Sequence, residues 1–198
     1  MVKNVKCTND DIVLLNGNLD EIDHALKDTN FKGIGEINVK KTYTDSNNDI
    51  KTWEGFHILN IVLKDTRPLY IHWDLESEDA SKLESILKKY PDRKFNLCHL
   101  GYNHILDNEY AIDLFKGLQK RNPNLWGDIS WDTLDLIMNT TDHLNGLDMD
   151  RILVGSDLCR LAPDDNPYDD GILEKRRRQV RALENTINTD FNMCRFFQ

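Results

Sequence analysis

The stretch PLYIHWDLESEDASKLESILKKYPDRKFNLCHL, residues Pro68 to Leu100, decides the fold class. Leu69 to Trp73 reads as a strand. Ser77 to Tyr90 reads as a helix whose buried stripe is Leu83, Ile86, Leu87 and Tyr90. Ser77 is a candidate cap, Lys88 and Lys89 suit the last turn, and Pro91 stops the helix. Phe95 to His99 reads as the next strand. A strand, a helix and a strand at this spacing make a parallel crossover. The two strands are apolar because helices cover a parallel sheet. Both runs carry a histidine at or near their carboxyl end, His72 and His99.

The same reading extends outward. Lys32-Gly33-Ile34-Gly35-Glu36 ends in a carboxylate, as does Arg151-Ile152-Leu153-Val154-Gly155-Ser156-Asp157. Glu36, His72, His99 and Asp157 would then stand at the carboxyl ends of four strands and meet on one rim. Further strands are expected at Ile12 to Leu15, Phe31 to Val39 and Leu125 to Trp131. Further helices are expected at Leu19 to Leu26, Phe56 to Leu63, Tyr110 to Lys120, Leu134 to Leu144 and Leu173 to Thr186. Residues 41 to 51 are polar and unpatterned, and read as a loop. Six strands, mostly separated by helices, predict an α/β fold with a parallel sheet. No repeat, linker or low-complexity tract divides residues 1–198, so one domain is expected.

The bulk composition fits a globular chain of 198 residues, with 39% apolar and 30% charged residues. No apolar run reaches the length of a membrane span, and residues 1 to 7 carry no signal-peptide core. Cys7, Cys98, Cys159 and Cys194 form no Cys-x-x-Cys pair and read as reduced thiols, which points to the cytoplasm. A net charge of −9 argues against nucleic acid as the partner. Glu174 to Arg181 holds the one basic cluster, which reads as a solvated helix face. The acidic loop Asp164 to Asp170 lacks calcium-loop spacing and reads as a lid over the rim.

At its strands the chain resembles the metal-dependent amidohydrolase superfamily, in its amidohydrolase-related branch. The matching pieces are Gly-Ile-Gly-Glu at 33–36, Tyr-Ile-His-Trp at 70–73, Cys-His-Leu-Gly at 98–101, Gly-Asp-Ile-Ser at 127–130 and Arg-Ile-Leu-Val-Gly-Ser-Asp at 151–157. The resemblance implies a (β/α)8 TIM-barrel type fold and a metal site drawn from Glu36, His72, His99 and Asp157. One part of the family's pattern is missing. That family's first strand carries a His-x-His pair, and the six histidines here, at 24, 57, 72, 99, 104 and 143, include none. Room before Glu36 suffices for about one strand. The expectation is therefore an incomplete barrel of about six parallel strands, resembling the last six of eight. It fits either a piece of a longer chain or a divergent member.

The implied chemistry is metal-assisted hydrolysis of a small molecule, with zinc as the expected divalent ion and manganese as the alternative. His72 is the expected ligand, and Glu36 bridges or supports the site. His99 either binds the ion or hydrogen-bonds developing negative charge, and Asp157 binds the ion and shuttles a proton. His99 and Asp157 are thus the catalytic candidates. The competing reading is a catalytically inactive incomplete barrel, without metal, that keeps a binding or structural role. Trp73 and Trp131 either line a pocket or pack helices on the sheet. Asp128 and Ser130 face the interior as ligands or polar contacts. Unpaired sheet edges would favour self-association, and neither a membrane nor a nucleic-acid partner is expected.

Overall fold

The computed structural model describes residues 26–27, 32–130, 132–155, 170–184, 187, 192 and 195–196. A six-stranded sheet organises them. In chain order its strands are β1 Ile34–Thr44, β2 Ile50–Glu54, β3 Leu69–Trp73, β4 Phe95–Leu97, β5 Leu125–Ile129 and β6 Ile152–Val154. The helices are α1 Phe56–Val62, α2 Ser77–Lys89, α3 Tyr110–Arg121, α4 Asp132–Asn139 and α5 Asp170–Glu184. The spatial order is β2-β1-β3-β4-β5-β6, with β1 to β2 antiparallel and every other pairing parallel.

From β1 to β6 the parallel strands follow one another in sequence order. Right-handed crossovers that never reverse direction put their helices on one face. That is the winding of a barrel wall, whereas a doubly wound sheet reverses its order and has helices on both faces. The described sheet is therefore an open arc of the (β/α) barrel type. Alternate strand residues confirm the two faces. Leu69, Ile71, Trp73, Phe95, Leu97, Leu125, Ile129 and Ile152 join Leu83, Leu87, Phe115 and Leu134 of the helices in one core. The opposite, concave face carries Tyr70, His72, Asn96, Trp126, Asp128 and Leu153. Its floor is a small second cluster of Trp126, Leu153 and Phe196, with Tyr70 against it.

Three sequence expectations need correction. Residues 41 to 51 are not a loop, because 41–44 complete β1 and 50–54 form β2. The turn between them is held by Asp45, whose Oδ1 accepts from the backbone N–H of Asn47 at 2.8 Å and of Asp49 at 3.0 Å. Asn48 sits there at φ 62°, a conformation asparagine tolerates. The hairpin is largely solvent-facing, so it shows no apolar run. Its signal is the β-branched and aromatic set Thr42, Tyr43, Thr44, Thr52 and Trp53. The second correction concerns Glu36, which is the third residue of β1 and not its carboxyl end. The expected helix at 134–144 is also split into α4 and a 3-10 turn at Thr141–Leu144. The proposed strand at 12–15, the acidic lid and Trp131 lie outside the described residues, as does most of the first proposed helix.

Trp73 resolves as packing. It is fully buried in the core and meets Phe56 edge to face at 5.2 Å. The basic cluster lies on α5, where Lys175, Arg177, Arg178 and Arg181 are exposed, as expected of a solvated face. Among the described residues no helix is long and apolar enough to cross a membrane. Cys98 is buried and forms no disulfide.

A buried ion cluster ties the hairpin to α2. Lys40 Nζ donates to Asp79 Oδ2 at 2.7 Å and also to Glu76, and the Asp79 side chain is only 1% exposed. Burial raises the Asp79 carboxyl, but the hydrogen bonds from Lys40 and Lys82 outweigh it and hold the group below its ordinary value. Lys40→Ala should leave the buried Asp79 carboxylate with Lys82 as its one cationic partner and cost up to about 3 kcal/mol. A depressed carboxyl stabilises above its unfolded value and loses that contribution as pH falls. The stability gap between wild type and Lys40→Ala should therefore close below about pH 4. Urea unfolding of both proteins at pH 7 and pH 3 checks this.

Candidate metal centre

The concave face brings three of the four expected site residues together. One potential ligand atom each from Glu36, His72 and His99 lie within 4.8 Å of one another. Asp157, the fourth, lies outside the described residues.

Each side chain is placed by a local feature of the sheet. β1 is irregular between Ile34, which faces Leu69, and Ile37, which faces Ile71. Gly35 and Glu36 occupy that irregularity. Gly35 has φ 133°, and a Cβ there would stand 2.5 Å from the Tyr70 carbonyl oxygen, so only glycine lets β1 approach β3 so closely. The Glu36 carboxylate reaches His72, with Nδ1 to Oε1 at 2.8 Å. His72 is the fourth residue of β3. Its Nε2 lies 3.0 Å from Asp74 Oδ1. Asp74 is itself anchored, accepting from the Thr42 backbone N–H and from Asn103 Nδ2 at 2.9 Å.

His99 follows β4 in a 3-10 turn at Cys98–Gly101. Both His99 and Leu100 adopt left-handed backbone angles, φ 56° and 55°, which cost non-glycine residues about a kilocalorie or more each. The turn swings the imidazole back over the sheet. The His72 and His99 ring centroids are 5.2 Å apart at 69°. Asp128 and Ser130 face inward as expected, and their role is polar contact with this turn. Asp128 Oδ1 accepts from the His99 backbone N–H at 3.1 Å, and Ser130 Oγ lies 2.9 Å from His99 Nδ1.

Sequence reasoning overlooked Asp74 and Asn103. Asp74 lies two residues beyond His72, a spacing that puts both on one face of an extended chain. That was the available signal. Asn103 gave none, because its role depends on the hairpin that was read as a loop.

The electrostatics make a tight set. Burial favours a neutral His72, but hydrogen bonds to Asp74 and Glu36 override it and raise the imidazole to about 9. Burial likewise raises Glu36, yet the bond and charge of His72 draw its carboxyl down to about 2. The pair's contribution to stability is complete between the ordinary glutamate and histidine values, 4.5 and 6.5. It fades as pH rises through about 9, and again as pH falls through about 2. With 35% of its side chain exposed, Glu36 stays open to solvent on one side.

No family model matches the chain, and no curated protein sequence matches it. Solved structures do. An amidohydrolase from Burkholderia multivorans with bound zinc is similar at 13% identity and a TM-score of 0.42, over 69% of this chain and 54% of that one. A second crystal form of an amidohydrolase from that organism, with bound HEPES, gives 12% identity and a TM-score of 0.43, over 69% and 55%. An uncharacterized TIM-barrel protein from Bordetella bronchiseptica gives 15% and 0.34, over 64% and 50%. The chain thus spans about half the length of these structures.

The residues suit a divalent ion. Two imidazoles and a carboxylate form a nitrogen and oxygen donor set of the kind zinc accepts. A cation held by both Glu36 and His72 Nδ1 would have to displace the proton these two groups share. Asp74 on the far nitrogen supplies the carboxylate that commonly orients a metal-binding histidine.

Proposed function

We propose that the chain is a metal-dependent hydrolase of the amidohydrolase-related type, acting on a small-molecule substrate. The convergence of Glu36, His72 and His99 on one concave face supports this reading. Glu36, His72 and His99 would hold the ion, zinc or manganese, joined by Asp157, which follows β6. The bound ion supplies a Lewis acid and makes water a nucleophile near neutral pH. Asp74 orients the His72 ring through Nε2. Glu36 is assigned as a ligand, and Asp157 as the group that moves the proton. The proposed partner is a small-molecule substrate, and neither nucleic acid nor a membrane is proposed as one. Among the described residues β2 and β6 each have one sheet neighbour, and a homo-oligomer could pair such edges.

A second reading is favoured by one observation. Both ring nitrogens of His72 already meet carboxylates, so the site is satisfied without a cation. An inactive barrel that kept its rim for binding would look the same. Zinc and manganese titration of the metal-free chain separates the two. Binding through His72 must displace its proton, so zinc affinity should rise with pH, by up to about tenfold per unit, and level off once His72 has lost that proton near pH 9. Hydrolysis of small ester, amide or phosphoester probes should depend on that ion. Absence of binding at any pH favours the inactive barrel.

A further inference from the structure

The hydrogen-bond network behind His99 defines where its proton sits. Ser130 Oγ touches two groups, Asp128 Oδ1 and His99 Nδ1, the latter at 2.9 Å. A hydroxyl has a single proton to give. Asp128 is surrounded by donors: Asn96 Nδ2 at 2.6 Å on Oδ2, and the His99 backbone N–H at 3.1 Å on Oδ1. It stands there as an acceptor, so the Ser130 hydroxyl donates to Asp128. Ser130 Oγ must then accept from His99, and the imidazole must carry its proton on Nδ1.

The relay is built to be rigid. Asn96, Asp128, Ser130 and His99 are all at least nine-tenths buried. The backbone N–H of Ser130 donates to Thr133 Oγ1 at 2.9 Å, and that hydroxyl returns a bond to the Ser130 carbonyl at 2.7 Å. These bonds fix the Ser130 backbone at the start of α4, and the contacts with Asp128 and His99 set the direction of its hydroxyl.

We infer that Asp128 and Ser130 are positioning residues that hold neutral His99 as its Nδ1–H tautomer, and so make His99 a cation ligand through Nε2. This inference deepens the proposed metal-dependent reading and its metal role rests on it. It also decides between the two roles open to His99. A neutral imidazole with its proton on Nδ1 presents a lone pair on Nε2 and has no proton there to give to developing negative charge. The carboxylate that orients His72 touches its ring directly, whereas the one behind His99 acts through a hydroxyl.

The test uses full-length, metal-free chain with nitrogen-15 in its histidines. Long-range proton–nitrogen spectra at pH 8 read the tautomer of each ring. His99 should show a protonated Nδ1 and an unprotonated Nε2. Ser130→Ala should shift it toward the Nε2–H form, and Ser130→Thr, which keeps the hydroxyl, should restore the wild-type pattern. Zinc titration of the same three proteins should give a 10- to 100-fold loss for Ser130→Ala and near-recovery for Ser130→Thr. An Nε2–H tautomer in wild type overturns the inference, as does a Ser130→Ala spectrum identical to wild type. If the alanine variant fails to fold, the wild-type spectrum together with Ser130→Thr still decides the tautomer. The expected tautomers with no zinc binding by any variant would uphold the relay but overturn both the ligand role of His99 and the metal-dependent reading.

Discussion

Replacing His72 with alanine is expected to abolish divalent-cation binding, with a loss of at least about a hundredfold in affinity. Removing a mere supporting partner of a metal ligand commonly costs 10- to 100-fold, and His72 is a proposed ligand. The variant should still fold. Asp74, only 1% exposed, keeps its bonds from Thr42 and Asn103 when the imidazole goes. Glu36 keeps its contact with water. His57→Ala and His143→Ala serve as controls. His57 is exposed beside Trp53, and His143 faces Glu109 at 3.7 Å, so neither belongs to the concave site. Calorimetric zinc titration of the four proteins checks the expectation. Undiminished binding by the His72 variant would place the cation elsewhere.

The second large effect is expected at Phe196, where alanine should cost about 3 to 5 kcal/mol. Phe196 is fully buried on the concave face. Its ring meets Tyr70 at 4.9 Å and Trp126 at 5.4 Å, both edge to face. Lys94 caps the neighbouring carbonyl of Arg195. Aromatic pairs of this geometry contribute about 0.5 to 1.5 kcal/mol each beyond burial. Tyr70 and Trp126 each lie two residues before a site residue on the same face, His72 and Asp128. Phe196 thus packs under the concave face beside Tyr70 and Trp126. Urea unfolding should show the loss, while zinc affinity of the folded variant should remain near wild type. An unfolding midpoint equal to wild type would mean that the floor is not packed as described.

Legibility in the sequence followed burial. β3, α2 and β4 were read close to their bounds because helix and strand face one core, and their apolar periods are strong. The stripe Leu83 and Leu87 in α2, and Ala111, Phe115 and Leu118 in α3, is buried as the spacing predicts. The hairpin of β1 and β2 was missed because solvent covers much of it, and a two-sided polar strand has no apolar run to show. Glu36 closes the short apolar run Lys32 to Glu36 and so read as a strand end, although it lies inside the strand expected from Phe31 to Val39 and inside β1.

At the site, residue types were legible and supporting contacts were not. His72 and His99 follow apolar runs, so their place near the rim could be read directly. The left-handed turn at His99 and Leu100 could not, since leucine gives no signal for a positive φ and histidine only a weak one. The links from Asp74 to Thr42 and Asn103, and from Asp128 to His99, span 29 to 32 positions. Such pairs become neighbours only once the strand order is known.

The central claim is that Glu36, His72 and His99 together hold one divalent ion. The most direct test is anomalous X-ray scattering at the zinc edge from crystals of the full chain grown with zinc. One strong peak is expected within coordination distance, about 2.0 to 2.2 Å, of the Glu36 carboxylate and of His72 and His99 ring nitrogens. A zinc-bound crystal whose peaks all lie away from these three side chains, with His72 still bridging Glu36 and Asp74, would contradict the account.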